Sequence, residues 1–227
     1  MDPNLAVLEL TAHALGDELL RDIVLVGGCA VGLLAANDKD LNIRATVDVD
    51  FVLEVAAKGD YYAFCERLRQ KGFREASEAN VICRWRTREL TIDVMPTDES
   101  VLGFTNMWYS DAVRTASEHT LPSGIIINLV GAAEFLATKL DAFSHRGNGD
   151  LLHHDIEDIV TVLEGRDSVV DEISSSSKDI RTYLVDGFDD LLSTAEFHDK
   201  LPWLLGPNRS RERYELVVAR MRQIAGI

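Results

Sequence analysis

Along the first half of the chain the apolar positions change period repeatedly. Leu5, Leu8, Ala12, Leu15 and Leu19 recur at three- and four-residue steps, the stripe of an amphipathic helix. Ile23-Val24-Leu25-Val26 follows as a short continuous apolar run, which reads as a buried strand closed by Gly27-Gly28. Residues 30–36 suit a helix. Val47, Val49, Phe51 and Leu53 then alternate with Asp48, Asp50, Val52 and Glu54, the period of a strand with two unlike faces. A helix is predicted over 60–70, and two short strands, 81–86 and 90–95, flank a tight polar turn. Helix and strand patterns interleave, so the expected architecture is α/β (α+β), with a mixed sheet domain over residues 1–125. From Leu129 the pattern becomes helical, over 129–144, 151–164, 178–188 and 214–224, which makes residues 126–227 a helical domain. Arg146-Gly147-Asn148-Gly149-Asp150 is a helix-stopping loop, and the serine run 174–177 reads as a linker or cap. No repeat of fixed period is visible.

Composition narrows this picture. The 227 residues are 46% hydrophobic, enough for one large or two small domains with a real core. No apolar run approaches the ~20 residues of a bilayer span, and the N-terminus lacks the order of a signal peptide, so a cytoplasmic protein without membrane partners is expected. Three cysteines, Cys29, Cys65 and Cys83, are an odd number without metal-type spacing, which argues against a disulfide framework and against a zinc site. With 38 acidic and 23 basic side chains the net charge is −15, a balance that on average repels nucleic acid, membranes and nucleotides. The charge is uneven. Residues 141–200 hold 15 acidic and 5 basic side chains, whereas 67–88 form a basic island of Arg67, Arg69, Lys71, Arg74, Arg84, Arg86 and Arg88 against Glu75 and Glu78. A second basic stretch carries Arg209, Arg211, Arg213, Arg220 and Arg222.

Candidate chemistry centres on Asp48-Val49-Asp50. Side chains two apart on a strand leave the same face with Cα atoms roughly 6.5–7 Å apart, so both carboxylates can converge on one metal. Without a cation between them they would repel, and Mg²⁺ is the hard, oxygen-seeking ion such a pair suits. Gly27-Gly28 at a strand-to-helix junction lets a phosphate approach the backbone. Asp93, in Thr91-Ile92-Asp93-Val94-Met95, supplies a third carboxylate and a candidate general base. Plainer readings stand beside these: a solvated strand edge for the aspartates, a simple tight turn for the glycines, and a snorkelling lysine for Lys139 between Leu136 and Leu140. His145, His153 and His154 lack the spacing of a known site and are expected at the surface.

Taken together, Gly27-Gly28-x-Ala30, Arg44-x-Thr46-x-Asp48-x-Asp50 and the later Asp93 resemble the DNA polymerase β-type nucleotidyltransferase superfamily. Lys139-x-x-Ala142-x-x-x-Arg146 followed by Asp155-x-x-Asp158 is similar to the nucleotidyltransferase toxins of the AbiEii kind, the toxin halves of toxin–antitoxin and phage-defence systems. The resemblance covers about residues 20–165 and departs mildly at Cys29, where a small hydroxyl residue is commoner. It implies Mg²⁺-dependent transfer of a nucleotide from an NTP, with pyrophosphate leaving, onto an acceptor hydroxyl at a tRNA 3′ end or on a protein. Asp48, Asp50 and Asp93 would hold the metal, with Asp93 activating the acceptor. Gly27 and Gly28 would hold the triphosphate, steadied by Arg44 and Thr46. Lys139 would face the phosphates and Asp158 would orient it or meet the nucleotide, in a cleft closed by the helical domain. Arg84, Arg86, Arg88 and the C-terminal arginines are candidate acceptor contacts, and a cognate antitoxin is the expected partner. Two alternatives remain open. One is an antibiotic nucleotidyltransferase of the aminoglycoside or lincosamide type, whose cationic substrate suits an acidic cleft, and the other is a catalytically silent binding module that keeps the fold.

Overall fold

The computed structural model of the chain describes residues 2–35, 41–76 and 82–227. The expected first helix is two, α1 (Leu5–Leu15) and α2 (Asp17–Leu20), because Gly16 turns to φ 74° and its N–H closes α1 on the Ala12 carbonyl. Next come β1 (Ile23–Val26), buried at every position, α3 (Gly27–Leu34) and β2 (Val49–Leu53). Helix α4 (Lys58–Gln70) buries Tyr61, Phe64, Cys65 and Leu68 at helical spacing, and Asp60 Oδ2 accepts from the Ala56 and Ala57 amides at its start. The chain continues through β3 (Arg74–Glu75), β4 (Arg84–Arg86), β5 (Thr91–Pro96), α5 (Glu99–Leu102), α6 (Tyr109–Arg114), β6 (Ser117–Thr120) and β7 (Ile126–Leu129). The rest is helical: α7 (Ala132–Arg146), α8 (His154–Gly165), α9 (Val169–Ser175), α10 (Lys178–Ser193), α11 (Ala195–Leu204) and α12 (Arg211–Ala225). The expected element ends at Ala36 and Val81 lie outside the described residues.

Two compact units result, Met1–Ala30 with Ala45–Gly131, and Val31–Arg44 with Ala132–Ile227. The first holds a seven-stranded mixed sheet in the order β3-β4-β5-β2-β1-β7-β6. Strand β2 runs antiparallel to β1 and parallel to β5, and β4 runs antiparallel to β5. These registers line up Val26, Asp50, Asp93 and Arg84 across four neighbouring strands. The β4–β5 turn fixes the last of these pairings. Thr87 and Leu90 close a two-residue loop through the Leu90 carbonyl, and the Thr87 hydroxyl accepts from the Leu90 amide. Strand β7 was not expected from the sequence, since a four-residue stretch, Ile126-Ile127-Asn128-Leu129, shortly before a helix is too short to show a period of its own.

In the second unit α7 packs on α8, α9 and α10, and α12 packs on α8, α9 and α10. Its core holds Phe135, Leu136, Ile159, Leu163, Leu184, Phe188 and Met221, all within 1% of full burial. The serine run proves to be a cap: Ser177 Oγ accepts from the Ile180 amide and starts α10. No helix among the described residues is long and apolar enough to cross a membrane.

Candidate metal centre

The three carboxylates singled out by the sequence meet. Ligand-capable oxygens of Asp48, Asp50 and Asp93 lie within 4.8 Å of one another. Asp50 and Asp93 face each other in register on β2 and β5. Asp48 stands just before β2 rather than on it, so its position depends on side-chain and backbone hydrogen bonds rather than on the sheet ladder. Thr46 Oγ1 donates to Asp48 Oδ1 at 2.8 Å, the Thr46 amide donates to Oδ1 of the buried Asn4 at 2.9 Å, and the Cys29 thiol donates to the Asp48 carbonyl.

Gly27 supplies the space. It sits at φ 64°, and a Cβ placed there would lie 1.9 Å from Asp50 Oδ2. Any side chain would therefore collide with the carboxylate as well as strain the backbone. Gly28 follows it, buried within α3.

A cation already stands among the acids. Arg84 Nη2 donates to Asp48 Oδ2 at 2.5 Å and to Asp93 Oδ2 at 2.7 Å, while its Nε donates to Asp93 Oδ1 at 2.8 Å. The Asp93 hydrogen bond, helped by the fields of Asp93, Asp48 and Asp50, raises the guanidinium pKa further, against the opposing effect of its partial burial. The negative potential also reaches the Cys83 thiol, pushed up to about 12 by burial first and then by Asp93 and Asp50. Three carboxylates against one arginine leave an excess of two negative charges in a half-buried site. This donor set of hard oxygens fits a divalent cation of the Mg²⁺ kind.

Of the remaining residues expected at the site, Arg44, Lys139 and Asp158 form a second constellation, within the helical unit. Lys139, 5% exposed, donates from Nζ to Asp158 Oδ2 at 2.6 Å and to Asp155 Oδ1 at 3.3 Å. Arg146 grips Asp155 with Nε at 2.8 Å and Nη2 at 2.7 Å, and an Arg44 Nη2 lies 3.7 Å from Asp158. Burial alone would raise the Asp155 pKa, but the Arg146 hydrogen bonds and the charges of Lys139 and Arg146 overcome it and hold the group at about 2, below its ordinary 3.8. The folded value lies below the unfolded one, so this contribution to stability is complete above about pH 4 and is lost as pH falls toward 2, amounting to about 2 kcal/mol. Urea titrations at pH 6 and pH 2.5 should show the wild type losing about that much more stability on acidification than Asp155→Asn. Equal losses would show that Asp155 is not perturbed.

Two of the three histidines are less exposed than expected. His145 is exposed, but His153 and His154 stack at 4.0 Å between ring centroids and lie with Asp155 close enough to group around an ion. The Lys139 and Arg146 cations on the same Asp155 oppose a metal there. The basic island also divides. Arg67 pairs with Asp22, and Arg69 pairs with Glu66 and Glu75 while covering the Trp85 ring. Arg84 turns onto the triad, and Arg74, Arg86 and Arg88 border an open depression of about 540 Å³. In the C-terminal helix Arg213 pairs with Glu164 and Arg220 binds the Leu163 and Glu164 carbonyls, so both serve packing.

Sequence reasoning missed two supports of the centre. For Arg84 a signal existed: a two-residue turn at Arg88-Glu89 dictates that residues 84 and 93 pair. For Asn4, 42 residues from Thr46, no local signal exists.

No protein-family model matches the sequence, and no curated protein sequence matches it. Among solved structures the chain is similar to an antigenic nucleotidyltransferase-like protein from Paracoccidioides brasiliensis, with a TM-score of 0.51 at 18% identity over 86% of this chain and 91% of that one. It also matches the antibiotic-resistance factor ANT(2'')-Ia with a TM-score of 0.46 at 16% identity, over 88% of this chain and 98% of that one. The mixed sheet followed by helices is thus the nucleotidyltransferase fold.

Proposed function

We propose that this protein is a divalent-metal-dependent nucleotidyltransferase that moves a nucleotide from an NTP to an acceptor hydroxyl. The observation that carries the reading is the convergence of Asp48, Asp50 and Asp93 within 4.8 Å, beside a glycine that has no room for a side chain. Asp48 and Asp50 would hold Mg²⁺, joined by Asp93. When bound, the ion would neutralise the triphosphate and the departing pyrophosphate. Asp93 would take the proton of the acceptor hydroxyl on a carboxylate oxygen. Gly27 and Gly28 would let the triphosphate approach the backbone at the start of α3. In-line displacement at phosphorus needs mainly positioning and charge compensation, and these residues are of the kinds that supply both. The intact acidic set counts against a silent binding module.

The finer reading is a toxin of the AbiEii kind, acting in the cytoplasm on a tRNA 3′ end or a protein hydroxyl and restrained by a cognate antitoxin. Its support is the Lys139–Asp158 motif. A second reading, an antibiotic-modifying enzyme, is favoured by the net charge of −15, which suits a small cationic acceptor better than RNA.

The test incubates the protein and Mg²⁺ with each α-labelled NTP, in turn with total RNA, total protein and a panel of aminoglycosides and lincosamides. Label in RNA or protein, with growth arrest on expression, supports the toxin. Label on an antibiotic, with growth protection, supports the second reading. No label in any fraction with Mg²⁺ or Mn²⁺ overturns the enzymatic proposal.

A further inference from the structure

Arg84 uses the oxygens that a metal would need. Its guanidinium takes both carboxylate oxygens of Asp93 and one of Asp48, at 2.5–2.8 Å, from a side chain only 18% exposed. Two structural devices hold it there. Strand pairing sets Arg84 opposite Asp93, and the Thr87–Leu90 turn fixes that pairing. Asp48 is held from its other oxygen by Thr46, so the carboxylate is already oriented when the guanidinium meets it.

A divalent ion on these carboxylates needs oxygens at roughly 2.0–2.1 Å and would then share them with a fixed positive charge. At that range two cations repel strongly in a half-buried site. The guanidinium and the metal are therefore competitors for one charge position.

The geometry points to Arg84 as an internal counter-ion that occupies the carboxylate triad until metal and nucleotide arrive together, so that metal alone binds weakly and metal with an anionic phosphate binds cooperatively. A bare ion must displace a bidentate, charge-assisted pair and leave the guanidinium without a partner. An ion arriving with a triphosphate offers the displaced guanidinium a partner whose oxygens match its planar fork. Each ligand thus favours the arrangement the other requires, which is a positive coupling free energy. The device offsets part of the triad's negative charge, at Asp48 and Asp93, before substrate arrives and makes occupancy depend on substrate. It rests on the metal-site reading above.

Calorimetric titration of Mn²⁺ alone into wild type, Arg84→Gln and Arg84→Lys tests the competition. Arg84→Gln is expected to bind Mn²⁺ about tenfold more tightly or better, equivalent to roughly 1.4 kcal/mol. Arg84→Lys, which keeps the charge with fewer donors, should fall between the two. A non-hydrolysable NTP analogue should tighten Mn²⁺ binding in the wild type and much less in Arg84→Gln. If the wild type binds Mn²⁺ and Arg84→Gln binds it equally or more weakly, the competition is overturned while the metal site stands. If neither binds at any concentration, the metal site itself falls, and the competition with it. The wild-type protein offers a second test that needs no variant. The Arg84 Nε–H, held by Asp93 Oδ1, should exchange that acceptor for a phosphate oxygen and shift its NMR resonance on addition of Mg²⁺ with the analogue. An unchanged signal at saturation overturns the proposal.

Discussion

Asp50→Asn should reduce nucleotide transfer by roughly 10²–10³-fold or more, the scale on which removing one preorganised charge partner acts in a water-poor site. The substitution is isosteric, and β2 keeps its pairing with β1 and β5, because the ladder runs through backbone groups that the change leaves alone. What is lost is one negative charge and one oxygen donor among three that lie within 4.8 Å. Mn²⁺ affinity should fall with the activity, and far-UV circular dichroism should not change. Transfer within tenfold of wild type, measured in single turnover with the labelled NTP that the wild type accepts, would remove Asp50 from the centre.

Lys139→Met should destabilise the protein by about 3–5 kcal/mol, a large part of the 5–15 kcal/mol that ordinarily separates folded from unfolded chains. Lys139 lies between two carboxylates that are almost wholly buried, Asp155 and Asp158, at 0% and 4% side-chain exposure. Methionine fills the volume but leaves both acids short of a cation. Arg146 still holds Asp155 and Arg44 approaches Asp158, which places the expected loss toward the lower end of the range. Urea denaturation of wild type and variant measures it. A loss below about 1 kcal/mol would mean that the network tolerates the gap. The same pair of measurements separates two roles for Lys139. A phosphate ligand would lose transfer with an unchanged denaturation midpoint, and the centre of a buried charge network would lose the midpoint itself.

Much of the candidate site's layout was legible in the sequence. Ile23–Val26 had to be a strand because four apolar residues end at two glycines, and that junction is where Gly27 meets Asp50. The alternation through Asp48 and Asp50 put both acids on one face, and the convergence followed even though Asp48 stands outside the strand. Less legible were β7, α9 and α11. A four-residue stretch such as β7 has no measurable period, and α11 buries only Phe197, Leu201 and Leu204, with Pro202 inside it and Glu196, Asp199 and Lys200 among them. The basic island is a related case. Seven cations close in sequence look like one surface, but strand pairing sends Arg84 inward and leaves Arg86 exposed.

The sequence by itself determined that Asp48 and Asp50 stand two residues apart at a strand, and that two glycines end the strand before it. Residue spacing on a strand and the steric freedom of glycine are local properties, settled within a few bonds. Only the tertiary structure decided that Asp93 joins them and which cation reaches Asp48. Arg84 reaches Asp48 across 36 residues, and Lys139 reaches Asp158 across 19, one through strand register and the other through helix packing. Charge compensation depends on which groups come within a few ångströms in space, and chain order does not encode that distance.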